Sequence, residues 1–152
     1  MKRLLILLLL MIGMSAAAFA RSGIVHETST NYGNGIIKTI LFWQAGADSL
    51  FSPYDTQHVF AGMIWQVVTV PDTSASTYSA DNLDFVINNS DSLDVMRGAL
   101  ANRDSIATET VAPVLSSGTE WPLIAAGKLR LKITNFTRPC RGRIVIYELP
   151  RR

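Results

Sequence analysis

Cysteine is nearly missing: Cys140 is the single thiol in 152 residues. No internal disulfide can form, so a folded domain must be held by core packing alone. A lone thiol outside the cytoplasm either pairs between chains or is simply buried. Histidine is as scarce, with His26 and His58 far apart and no HExxH or His-x-His pair. Zinc takes four ligands, which two isolated imidazoles and one thiol do not supply. There is no GxSxG elbow, and Ser116-Ser117-Gly118 reads as a loop. Ala126-Gly127-Lys128 lacks the upstream glycine of a phosphate-binding loop. Long amphipathic helices, heptads and internal repeats are absent too. No catalytic residue, metal or cofactor is predicted.

What is present begins with a leader. Met1-Lys2-Arg3 is basic, Leu4 to Met14 is almost unbroken apolar sequence, and Ala18-Phe19-Ala20 has the small-x-small form that signal peptidase needs. The apolar run falls short of the roughly 20 residues of a bilayer span. Residues 1–20 are therefore predicted to be a signal peptide cleaved after Ala20, the alternative being an uncleaved hydrophobic leader. With cleavage the protein is secreted or periplasmic; without it, membrane contact comes through the leader only. Cys140 lies far from this region, which excludes a lipid-modified N-terminal cysteine. Residues 21–152 are long enough for one domain with a core.

Charge is unevenly spread. Residues 21–127 hold 4 basic and 11 acidic side chains, whereas residues 128–152 hold 8 basic and 1 acidic. The two segments balance, and they can attract each other within a molecule or between neighbours. The plainer reading is of strands whose charged faces neutralise one another.

The mature region reads as all-β. Gly35–Ala45 alternates, with Ile37, Thr39, Leu41 and Trp43 on the more apolar face. Phe60–Val70 is apolar on both faces and stops at Pro71-Asp72, a turn signal. Gly62 inside it predicts a bulge or a close approach. Leu83, Phe85 and Ile87 alternate with Asp84, Val86 and Asn88. Leu129, Leu131 and Ile133 alternate with Lys128, Arg130 and Lys132. Gly142–Leu149 is a last strand, and with the preceding one it forms a predicted hairpin with a basic outer face. Val95–Asn102 has room for one short helical turn. Six to eight short strands separated by polar loops predict a single antiparallel β-sandwich, jelly-roll or Ig-like, with a closed barrel as the alternative.

Residues 81–98, DNLDFVINNSDSLDVMRG, gather four aspartates and three asparagines. An EF-hand loop needs alternating oxygen ligands, a glycine at the sixth position and a closing glutamate. Asn89-x-Asp91-x-Leu93 fails at the third ligand and has neither of the others. A looser calcium site remains open. Asp84, Asp91 and Asp94 are the candidate acids for glycoside hydrolysis, but no accompanying group marks a pocket. Asn88, Asn89, Asp91 and Asp94 are better read as a structural turn, since such side chains cap their own backbone.

Two features suggest binding. Arg130, Lys132, Arg138, Arg141 and Arg143 form a candidate interaction patch near Phe136 and Tyr147. In an exported protein it would meet anionic lipid or glycan, and nucleic acid is not expected. Trp121, between a polar loop and Pro122, is the candidate exposed ring, whereas Trp43 and Trp65 sit mid-strand and read as core.

The order of these segments carries a resemblance. VVTVPDTSA (67–75) precedes the Asp-rich stretch, which runs into Asp94, Val95, Gly98, Ala99, Asn102 and Arg103, a D-V-x-x-G-A-x-x-N-R pattern. TETVAP (108–113) follows. The chain then closes with Leu129, Leu131, Ile133 and Asn135, then Gly142, Ile144, Ile146 and Tyr147. This resembles the small β-sandwich structural proteins of tailed-bacteriophage virions. The resemblance implies a non-enzymatic virion component whose partners are other virion proteins or further copies of the same chain. An exported module recognising cell-surface glycan or lipid is the alternative.

Overall fold

A computed structural model describes residues 23–33, 35–45, 51–73, 83–113, 123–136 and 140–150. Residues 1–20, Trp121 and Arg138 fall outside this set, and with them the leader and two of the predicted patch residues. The described chain is all-β, in two antiparallel sheets. Its strands are β1 (Gly23–Asn31), β2 (Ile37–Ala45), β3 (Tyr54–Asp55), β4 (Phe60–Pro71), β5 (Asp84–Asn88), β6 (Glu109–Val111), β7 (Leu123–Gly127), β8 (Arg130–Thr134) and β9 (Cys140–Pro150). The large sheet runs β1-β2-β9-β4-β6, with β7 also pairing with β4. The small sheet is β3-β8-β5.

Inward positions follow the period of two that strands impose. Leu41 and Trp43 of β2, Phe60, Ile64 and Val67 of β4, and Ile144 and Ile146 of β9 face Phe85 and Ile87 of β5 and Leu131 and Ile133 of β8. The Trp43 and Phe85 rings meet edge-on, with centroids 5.6 Å apart. Cys140 is buried. The expected alternation of 83–88 and 128–134 is what the structure has.

The predicted hairpin of 128–134 with 142–149 does not form. β8 lies in the small sheet between β3 and β5, while β9 is central in the large sheet between β2 and β4. The reason is in β9 itself. Val145 is buried as well as Ile144 and Ile146, and on its outward side it is flanked by Ile40 of β2 and Val68 of β4, neighbours that an interior strand has on both edges. Gly142 lets neighbours close in: a Cβ there would lie 2.6 Å from the Val70 carbonyl oxygen.

The Asp-rich stretch is a strand, a self-capped turn and a return. Asn89 Oδ1 accepts the N–H groups of Asp91 (3.0 Å) and Leu93 (2.9 Å). Asn88 then bridges to Asp94. Asp94 accepts Met96 N–H at 2.9 Å and Gly98 N–H at 2.6 Å. The helical turn expected over 95–102 is instead a run of tight turns, closed by Arg97 N–H to Asp94, Ala99 N–H to Met96 and Ala101 N–H to Gly98. Positive φ at Arg97, Gly98 and Asn102 prevents a helix from propagating. Val95, Met96 and Leu100 are buried beneath it.

Candidate contact surface on the outer face of the large sheet

The predicted basic patch is not one surface. Arg130 and Lys132 project from β8 on the outside of the small sheet, and Arg141 and Arg143 project from β9 on the outside of the large one. Phe136 is buried and does not join them. Arg130 is also committed. It forms a two-pronged ion pair with Asp55, its cross-strand neighbour, at 2.7 and 2.9 Å. The Arg130 hydrogen bond holds the Asp55 carboxyl below its ordinary value. Arg141 Nε lies 2.6 Å from Asp72 Oδ2. Acidic and basic segments thus neutralise each other across adjacent strands.

The outer face of the large sheet carries the unexpected feature. β4 alternates strictly from Phe60 to Ile64, with Gly62 buried at its tight approach to β9. The β4–β9 register then shifts between Ile64 and Gln66, so Trp65 is an extra, unpaired residue. Trp65 continues the outward series of Ala61 and Met63, and its indole is 56% exposed, while the bulge shifts the phase of the strand beyond it. The expectation that Trp65 is core is therefore corrected. Val67 and Thr69 return to the buried face beyond the bulge. Beside the ring, Met63 is paired in register with Ile124 of β7 on one side and Leu149 of β9 on the other. Ile124 is 50% exposed. A groove of about 410 Å³ runs along the indole, lined by Ile36, Gln66, Tyr147 and Leu149. Lys38 Nζ sits 5.9 Å from the Tyr147 ring centroid.

The same face has a second hollow at its other end. Phe42, Arg143 and Val70 are neighbours across three strands, and Gln44 and Arg141 form the next row. The hollow measures about 540 Å³.

A polar corner closes the sandwich where the chain crosses from β3 to β4. Glu27 of β1 accepts hydrogen bonds from the Tyr54 hydroxyl and from the N–H groups of Gln57 and His58, each at 2.8 Å. Glu148 of β9, 1% exposed, bonds His58 Nε2 at 2.9 Å and accepts Ala61 N–H at 2.7 Å. Thr56 Oγ1 accepts Leu129 N–H and donates to the His58 carbonyl, both at 2.9 Å. Burial, then the Glu27 hydrogen bond, pushes the Tyr54 hydroxyl up to about 12. Glu27, Thr56, His58 and Glu148 are thus occupied in tying strands together.

Of the predicted turn residues, Asn89 and Asp94 hold the turns through their side chains, Asn88 bridges to Asp94, and Asp91 contributes only its N–H. Asp84 accepts Asn102 N–H at 2.8 Å and bonds the Asn135 amide. Among the described residues, no three acidic, histidine or cysteine side chains gather into a metal site. The sequence held one signal for Trp65 in the alternation of Ala61, Met63 and Trp65 against Phe60, Gly62 and Ile64. For the corner the signal was Glu148, an acid at an inward position after Ile144 and Ile146. Compared with protein-family models, curated proteins and solved structures, the chain matches none.

Proposed function

We propose that this chain is a non-enzymatic structural component of a phage virion, working through protein–protein contacts on the outer face of its large sheet. The observation that carries the contact reading is Trp65, set out on a bulge beside a groove and flanked by Met63 and Ile124. Trp is enriched among residues that dominate binding energy at interfaces. A sandwich normally keeps the outer face of a sheet polar, so an apolar outer face supports an assembly role. The phage setting comes from the segment order and the D-V-x-x-G-A-x-x-N-R stretch. Mass spectrometry of purified intact particles tests it. The polypeptide is expected in stoichiometric amount, and lost from particles carrying Trp65→Glu. Its absence from intact virions ends the proposal.

One observation favours the second reading, an exported module for surface glycan. An exposed indole beside Gln66 and Tyr147 is a stacking platform with hydrogen-bonding groups at its edge. Glycan-array binding that is lost in Trp65→Ala would select it over the first.

A further inference from the structure

The hollow at Arg143 is chemically one-sided. Arg143 lies between Phe42 and Val70 in register, a cation with an apolar wall on either flank. Arg141 beside it is engaged by Asp72, but Arg143 is exposed and forms no ion pair among the described residues. Among the described residues, the charged and titratable side chains around it on this face are His26 and Arg141, with Lys38 further along, and Asp72 is the one acid. A complementary partner must bring a carboxylate and an apolar side chain close together.

The chain presents that combination itself. At the tip between β5 and Asp94, Asp91 is exposed and forms no ion pair among the described residues. Leu93, two residues on, is 65% exposed, the highest of any large apolar side chain described. The tip is held rigidly by Asn89, which binds it through its side chain, its N–H (to Leu93 O, 3.0 Å) and its carbonyl (from Ser92 N–H, 3.0 Å). A preformed tip gives up little conformational freedom on docking.

We propose that the Arg143 hollow receives the Asp91–Leu93 tip of a second copy of this chain, with Asp91 against Arg143 and Leu93 against the apolar side chains that flank it. This rests on the reading of the protein as a contact module. A molecule's own tip does not reach its own hollow, because the tip extends from the small sheet and the hollow opens on the outer face of the large one. The contact is therefore head-to-tail, and repeating it builds a ring or a filament.

Sedimentation velocity on residues 21–152 over a concentration series, at low and high salt, tests this. The wild-type chain is expected to gain mass with concentration and to lose it at high salt. Arg143→Glu and Asp91→Arg, each confirmed as folded by circular dichroism, are each expected to stay monomeric. A one-to-one mixture of the two should reassemble, because every tip then meets a hollow of opposite charge. A wild-type chain monomeric up to its solubility limit overturns the proposal, as do single variants that associate like wild type or a mixture that stays monomeric. Failure here with the polypeptide present in virions leaves the virion reading standing; absence from virions with self-association intact removes that reading alone.

Discussion

Glu148 offers the sharpest test of how the sandwich is closed. Its carboxyl group is 1% exposed and meets two donors, the His58 ring and the Ala61 N–H. Replacing it with leucine keeps the volume roughly constant and strands both partners. An unmet buried polar group costs about 1–3 kcal/mol, and His58, 18% exposed, regains some hydration, so Glu148→Leu should cost about 2–4 kcal/mol. His58→Ala attacks from the other side. It leaves the buried carboxyl one hydrogen bond short and removes a ring set edge-on to Phe60, with centroids 4.5 Å apart. Removing one member of a buried pair costs about 3–5 kcal/mol when both are dry, and the partly wet ring places this one near 3 kcal/mol. The double variant should cost less than the sum, by about 1–2 kcal/mol, within the range seen for residues in contact. Urea unfolding of the four proteins, with midpoints compared at a common slope, gives the cycle. Two single variants each losing under about 0.5 kcal/mol, the scale of an ordinary surface change, would refute the corner as a closing device. So would strict additivity.

Other perturbations separate the same assignments. Leu131→Ala should cost about 2–5 kcal/mol as a core truncation, and Trp65→Ala about 0.5 kcal/mol or less as an exposed one; the reverse order in urea melts would mean that the faces are inverted. Gly62→Ala should destabilise by at least about 1–3 kcal/mol, because the new Cβ would lie 2.2 Å from the Leu149 carbonyl oxygen; an unchanged urea midpoint would show that the approach is looser. Tyr54 ionises near 10 when unfolded and is pushed up to about 12 in the fold. The folded value is the higher one, so its contribution is complete below pH 10 and is lost as pH rises through 12. Absorbance titration should show one late tyrosine of the four, missing in Tyr54→Phe. Millimolar calcium should leave the Tm unchanged, since Asn89 and Asp94 spend their side-chain oxygens on backbone N–H groups; a rise of several degrees would mean a bound cation.

Alternation made much of this fold legible. Where one face is apolar and the other charged, as in Leu129–Ile133 or Leu83–Asn88, the period of two decides orientation without help. It fails where both faces are apolar, which is why Trp65 reads as core from sequence and why β9 looks able to pair with β8. Which sheet a strand joins depends on contacts distant in sequence, and alternation carries no information about them. β1 was harder still: Glu27, Thr28, Ser29 and Thr30 are polar on both faces, yet Glu27 points inward because the β3–β4 corner supplies it with three donors. The D-V-x-x-G-A-x-x-N-R stretch is readable residue by residue once placed. Asp94 caps the turns, Gly98 and Asn102 take positive φ, and Arg103 bridges back to Leu83.

The charge asymmetry can be followed to its destination. Part of it is consumed inside the molecule, where Asp55 meets Arg130 and Asp72 meets Arg141, each pairing joining the acidic segment to the basic one. Both pairs are substantially exposed, so each contributes little to stability. What remains has more consequence. Arg143 and Asp91 belong to opposite segments, form no ion pair among the described residues, and stand on opposite layers of the sandwich. Exposed charges separated this way are open to a neighbouring molecule, where complementarity fixes register and partner choice more than raw affinity. The apolar neighbours of Arg143 and Asp91 then carry the affinity, since Leu93 loses water only when Phe42 and Val70 receive it.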